Sequence, residues 1–246
     1  MLFSALSLVR LKVRKYSFQK ITLQFVLLSE PESELMKAII FDFDGTLADS
    51  LLLGLEGVNK LAKTYGYQAF HDHEYLRSKG VAQIIKEDLG LKWYQFPFYL
   101  RSLKKILLPE LPKLKLYPGV PEMLETLSGK ARLFILTSNI EPAVRYILDK
   151  YQLDCFEGVY ADTSIFKKHK KLKRLLEKHD LQAAETIYVG DEVRDIEACR
   201  KVGMPIVSVS WGFNNREKLS EVQPDHIADD PANLLGILKK HLGTSE

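Results

Sequence analysis

From residue 118 onward, short apolar runs alternate with segments of helical period, and no other feature of the chain restricts its fold as much. The runs fall at 132–136, 158–160, 186–189, 206–209 and 226–228, and the helical segments at 120–127, 141–150, 168–179, 193–202 and 232–242. Strands that alternate with helices in this way pair in parallel, and the helices cover both faces of the sheet. A further run at 38–43, AIIFDF, is apolar until acids end it, the pattern of a strand buried on both faces. The region between 51 and 116 carries no strand pattern. Leu52, Leu55, Val58, Ala62 and Tyr65 share one helical face, as do Val81, Ile84, Ile85 and Leu89, and then Leu100, Leu103, Ile106 and Leu107. The expected organisation is an α/β core of residues 37–50 and 117–246, interrupted by an all-helical insertion at 51–116.

Composition agrees with an ordinary globular chain, at 46% hydrophobic and 27% charged residues. The net charge of +3 is unevenly placed. Residues 1–29 hold Arg10, Lys12, Arg14, Lys15 and Lys20 and no acid. Removing those five from 35 basic residues leaves 30 against 32 acids, so residues 30–246 carry a formal −2. No nucleic-acid surface is expected of such a domain. The uncharged run at 21–29 is too short to span a bilayer, and no clean cleavage site follows it. Residues 1–36 are expected to be an extension outside the native fold, with an organelle transit peptide as the alternative. Cys155 and Cys199 lie in no metal-binding or disulfide pattern, which suits a reducing cytoplasm.

Chemistry concentrates where apolar runs stop. Asp42-Phe43-Asp44-Gly45-Thr46 follows the first run. Aspartate is a competent nucleophile toward phosphorus, and a second acid beside it can protonate a leaving oxygen and later deprotonate water. An acidic strand end followed by a glycine turn is the plainer reading of the motif alone. Gly190-Asp191-Glu192-Val193-Arg194-Asp195 follows the run at 186–189. Carboxylates from two strand ends can bracket one hard cation, and Mg²⁺ suits a few carboxylates plus phosphate oxygens. Glu192 fits a simpler role as an acid at a helix N-terminus. Thr137-Ser138-Asn139 follows the run at 132–136 and can hold phosphate oxygens, with Asn139 serving more as a helix cap and Thr137 more as a ligand. In the run Lys167-Lys168-His169-Lys170-Lys171, Lys168 extends the face of Leu172, Leu175, Leu176 and His179 and points inward, whereas Lys170 points away. The histidines show no ligand spacing.

These four motifs, in this order and strand context, resemble the haloacid dehalogenase-like superfamily over roughly residues 37–242. The Tyr117-Pro118-Gly119-Val120 return and the 190–195 segment are most similar to its phosphoglycolate phosphatase-type branch. The resemblance implies a Rossmann-like core with a helical cap inserted after the first motif. It makes Asp42 the nucleophile and Asp44 the general acid/base. Thr137 binds the transferring phosphoryl group with Ser138 and Asn139 nearby, and Lys168 balances its charge. Mg²⁺ is held by Asp42, Asp191 and the Asp44 backbone carbonyl, and Asp195 orients its neighbours. Relatives often carry glycine where this chain has Lys167. The implied reaction is Mg²⁺-dependent hydrolysis of a small phosphorylated metabolite, phosphoglycolate-like or a sugar phosphate, through an aspartyl-phosphate. The alternatives are a phosphosugar mutase and a non-catalytic regulator; the presence of both acids argues against the regulator, and Asp44 against dehalogenase chemistry. A cytoplasmic monomer or homodimer, with no membrane or nucleic-acid partner, is expected. Arg77, Lys79 and Arg101 are insertion cations that could meet an anionic substrate, although exposed helix or loop charge is the plainer reading for each.

Overall fold

The computed structural model describes residues 37–161 and 167–243. The expectations for the N-terminal extension lie outside the described residues. Six strands form one parallel sheet: β1 (Ala38–Phe41), β2 (Arg132–Thr137), β3 (Phe156–Ala161), β4 (Thr186–Gly190), β5 (Ile206–Val209) and β6 (His226–Ala228), in the order β3-β2-β1-β4-β5-β6. Every pairing is parallel. After β3 the chain crosses back to the far side of β1, so the strand order reverses between β1 and β4. Such a reversal opens a crevice beyond the carboxyl ends of the strands.

Alternate strand residues point to opposite faces, and the two faces bury separate apolar layers. Ile39, Phe41, Leu133, Ile135, Ile187 and Val189 pack with α5 (Val120–Leu127), α6 (Glu141–Lys150) and α10 (Pro231–Leu242). Ala38, Ile40, Phe134, Leu136 and Tyr188 pack with α7 (Lys168–His179), α8 (Val193–Arg200) and α9 (Arg216–Glu221). The α/β class with helices on both faces is the one expected.

Some bounds differ from expectation. β1 ends at Phe41, because past Asp42 the Phe43 carbonyl accepts the N–H groups of both Leu47 and Ala48 and turns the chain. β3 runs two residues earlier and one later than the expected 158–160, and α8 stops at Arg200, short of the expected 202.

The region between β1 and α5 is helical: α1 (Leu51–Tyr65), α2 (His73–Arg77), α3 (Val81–Gln83), which passes into a π turn at Ile84–Asp88, and α4 (Phe96–Leu107), followed by a 3₁₀ turn at Leu108–Lys113. It has its own apolar cluster around Leu61, Leu76, Ile84, Leu89 and Tyr99. Its two connections to the sheet run side by side, with Asp49 N–H donating to Lys115 O (2.8 Å) and Tyr117 N–H to Leu47 O (3.0 Å). No helix of the described residues is long and apolar enough to cross a membrane.

Candidate active site

The carboxyl ends of β1, β2 and β4 and the N-terminus of α7 bring the four motifs together. Asp42 follows β1 and is buried; its Oδ1 accepts the Phe43 N–H at 2.7 Å. Its Oδ2 accepts from Lys168 Nζ at 2.5 Å, and the same ammonium bonds Asp195 Oδ1. Lys168 is buried on α7 with Leu172, Leu175 and Leu176, whereas Lys170 is exposed. Burial pulls the Lys168 ammonium down, but Asp195 and Asp42 outweigh it, and the net shift is upward, so the lysine stays charged. Lys167 precedes it at φ +70°, in the left-handed region that favours glycine.

Asp191 follows β4 and is fixed on both oxygens: Thr46 Oγ1 donates to Oδ1 at 2.9 Å and Phe213 N–H to Oδ2 at 2.7 Å. Glycine is required across from it. At φ +74°, Gly45 leaves so little room that a Cβ there would lie 2.0 Å from Asp191 Oδ2. Asp42, Asp191 and Asp195 each place a carboxylate oxygen within 4.8 Å of the others, all buried. Burial first, then the charges of Glu192, Asp42 and Asp195, push the Asp191 carboxyl well above the usual carboxylate range. Glu192 caps α8 in a reciprocal pair with Asp195 and accepts from Arg194 Nη2. The simple helix-terminus role expected of Glu192 is what is seen. Asp195 joins the cap to Lys168 and so links the two clusters.

Asp44 is half-buried and lines a cavity of about 380 Å³. Burial and the Asp42 charge push its carboxyl up to about 6, against hydrogen bonds from Ser50 and Asn139. Asn139 Nδ2 donates to both Asp44 oxygens, at 3.2 and 3.0 Å. This corrects the expectation that Asn139 caps the following helix. The N-cap of α6 is Ile140, without a side-chain cap, and the Asn139 carboxamide turns toward the acid instead. Thr137 is buried and its Oγ1 accepts the Asn139 N–H at 3.0 Å; Ser138 lines the cavity.

Two of the three insertion cations are engaged elsewhere. Arg77 donates to Gly212 O (3.1 Å) and Ser210 O (2.6 Å), and Lys79 pairs with Asp88 (2.8 Å), while Arg101 is exposed. Sequence reasoning missed the loop at 210–215, whose Phe213 and Asn214 amides bond Asp191. No acidic or phosphate-binding pattern marks that loop.

The fold and the site define a parallel α/β protein that gathers a buried aspartate cluster at the point where its strand order reverses. The sequence pattern described as haloacid dehalogenase-like hydrolase matches residues 39–209. A phosphoglycolate phosphatase of Synechococcus elongatus is 38% identical over 204 residues, covering 81% of this chain and 96% of the relative. Another, from Aliivibrio fischeri, is 30% identical and covers 82% and 96%. A haloacid dehalogenase-like hydrolase structure from Streptococcus pneumoniae shares the fold, with a TM-score of 0.68 at 24% identity over 82% of this chain and 98% of that one. The chain belongs to the haloacid dehalogenase-like hydrolase family, in its phosphoglycolate phosphatase-type branch, and is a phosphoric monoester hydrolase.

Proposed function

We propose that the chain is a Mg²⁺-dependent phosphatase for a small phosphorylated metabolite and that it works through an aspartyl-phosphate on Asp42. The observation that carries this reading is the joint placement of Asp42, Lys168, Asp195 and Asp191 in one buried cluster, beside an Asp44 carboxyl poised near pH 6.

A divalent cation fits the cluster. Three buried carboxylates meet there with Lys168 and Arg194 as the cations beside them, and burial first, then the neighbouring acids, still push the Asp191 carboxyl up. The donors are all oxygen, the set a hard cation takes. Asp42 and Asp191 would hold it, with the Asp44 backbone carbonyl, and when bound it screens charge on the phosphoryl oxygens.

In the first step an Asp42 oxygen attacks phosphorus, the bond to the leaving oxygen breaks, and protonated Asp44 gives its proton to that oxygen. Lys168 offsets charge on the phosphoryl group, which Thr137, Ser138 and the adjoining backbone orient. In the second step Asp44, now a carboxylate, takes a proton from the water that attacks phosphorus, and the Asp42–phosphorus bond breaks. Asn139 holds Asp44 in place for both steps. The insertion at 51–116 acts as a cap that excludes water and reads the leaving group. The relatives from Synechococcus and Aliivibrio make 2-phosphoglycolate the first substrate to test. The enzyme is assigned to the cytoplasm.

The test uses p-nitrophenyl phosphate and 2-phosphoglycolate with Mg²⁺ and with chelator. Hydrolysis that the chelator stops, and that Asp42→Asn abolishes, is expected. Rapid-quench labelling should place phosphate on Asp42. Label on another residue, or turnover by Asp42→Asn, overturns the mechanism; transfer of the phosphoryl group back to substrate instead of water points to a mutase.

A further inference from the structure

The cavity that opens onto Asp44, Ser138 and Asn139 extends into the helical insertion and is walled almost entirely by apolar side chains, among them Leu53, Val58, Ile84, Leu103 and Phe213. A phosphoryl group at Asp42 would leave its alcohol portion pointing into this space. Among the lining residues one is cationic, Lys104. It lies in the last turn of α4, and Leu100 and Leu108, four residues to either side on the same helical face, line the cavity with it. Lys105, the next residue, is exposed and lies outside the lining.

Arg77 and Lys79, two insertion cations singled out by the sequence, are taken up by backbone carbonyls and by acids. Lys104 is different: among the described residues no carboxylate lies within ion-pair distance of it. Burial alone moves its ammonium, downward, and no acid draws it back. An ammonium with an apolar wall on one side attracts an anion more strongly than one in open water, because fewer water dipoles screen it.

We propose that Lys104 is the specificity-determining residue of this site, and that its ammonium pairs with a carboxylate on the leaving group of the substrate. The assignment rests on the phosphatase reading above and deepens it. Beyond the polar end lined by Asp44, Ser50, Ser138, Asn139, Asp191 and Glu192 the lining is apolar except for Lys104, its single cation, and such a site favours a small carbon skeleton with one further anion.

The experiment compares kcat/KM for 2-phosphoglycolate and ethyl phosphate, which differ by a methyl in place of the carboxylate. It uses wild type, Lys104→Met, Lys104→Arg and Lys105→Met, all with Mg²⁺. Wild type should favour 2-phosphoglycolate. Lys104→Met, which keeps the apolar stem, should lower that preference by about 10- to 100-fold, the span of a charge-assisted hydrogen bond present with one substrate and absent with the other. Lys104→Arg should restore most of the preference, and Lys105→Met should leave the ratio as in wild type. A ratio unmoved by Lys104→Met, one lowered equally by Lys105→Met, or a wild type that prefers ethyl phosphate overturns the assignment while leaving a working phosphatase. A wild type that hydrolyses none of these esters, p-nitrophenyl phosphate included, overturns the phosphatase reading and this assignment together.

Discussion

Lys167 holds a left-handed backbone, φ +70° and ψ 30°, immediately before the lysine that reaches Asp42. A side chain in that region costs on the order of 1 kcal/mol, and glycine costs about 0.5–1 kcal/mol through its freer unfolded chain. Lys167→Gly should therefore change stability by less than about 1 kcal/mol, whereas Lys167→Val, branched at Cβ, should lose more than about 1 kcal/mol, as read by urea denaturation. The same turn accounts for the glycine that the family resemblance leads one to expect at this position. Asp44 supports a second prediction. Its folded value of about 6 stands above the ordinary 3.8, so the folded chain binds more protons than the unfolded one between those values. Stability from this group is complete below about pH 4 and is lost as pH rises through about 6. In chelator, Asp44→Asn should accordingly match wild type near pH 4 and exceed it by on the order of 1–3 kcal/mol above pH 7, measured by denaturant melts at each pH. A pH-independent difference would show that burial does not hold the carboxyl up. Most of this site was legible because motif residues stand at the ends of apolar runs: Asp42, Thr137 and Asp191 are placed by strand periodicity, and Lys168 by its helical face. Asn139 was misread, because sequence gives its position at a helix start but not which way the carboxamide turns. Lys104 was passed over, since one lysine on an amphipathic helix carries no local mark of the cavity it faces.

At the level of elements, α1 and α4 meet at Gly57. A Cβ there would lie 2.7 Å from Leu107 Cδ2 and 2.9 Å from Leu103 Cδ1, while one on Gly54 would meet nothing within 4 Å. Replacing a helical glycine with alanine gains about 0.5–1 kcal/mol where there is room. Gly54→Ala should thus raise the melting temperature, Gly57→Ala should raise it less or lower it, and Gly57→Leu should cost about 1–3 kcal/mol by forcing the two helices apart. Equal gains at both alanine positions would mean that the helices do not touch as described. The sheet was legible nearly strand by strand, because four of its runs, β1, β2, β4 and β5, are apolar enough to be buried on both faces. β3 was shortened in the reading because it is only half-buried and carries Glu157 and Gly158. The insertion was harder. α2, HEYLR, is five residues long and held by its Asp72 cap, which accepts the Tyr75 N–H at 3.0 Å, so it has no room for a period. The apolar face at 81–89 predicts one α-helix, but it widens into a π turn from Ile84, and residues spaced three and four apart suit both geometries.

Over the whole molecule, one loop connects the insertion to the acidic cluster. Arg77 at the end of α2 donates to Ser210 O at 2.6 Å and Gly212 O at 3.1 Å. In return Asn214 Nδ2 donates to the backbone carbonyls of Arg77 (3.1 Å) and Lys79 (2.8 Å), and Asn215 N–H also reaches Arg77 O (3.1 Å). The same loop donates Phe213 N–H to Asp191 Oδ2 and Asn214 N–H to Asp191 O. The position of the insertion is therefore transmitted to Asp191 through three consecutive residues, of which Phe213 also lines the cavity. Arg77→Met removes the two side-chain bonds to the loop, together with the exposed pair to Glu74 within α2, while keeping most of the stem, and leaves the loop carbonyls to water. Each hydrogen bond from a charged donor contributes about 1.5–3 kcal/mol at most, so the global fold should survive. The loss should be local. Hydrogen exchange at the amides of Phe213 and Asn214 should quicken by about tenfold or more, because those amides lose the brace that holds them against Asp191. Half-saturation by Mg²⁺, followed through its protection against thermal unfolding, should move to higher concentration, since Asp191 then presents its oxygens less rigidly. Lys79→Met makes the contrast: its ammonium pairs with Asp88 within the insertion, so it should loosen the π turn and leave exchange at 213–214 as in wild type. If Arg77→Met leaves both the exchange of those amides and the Mg²⁺ midpoint unchanged, the loop is held by its own backbone and the insertion docks without influence on Asp191.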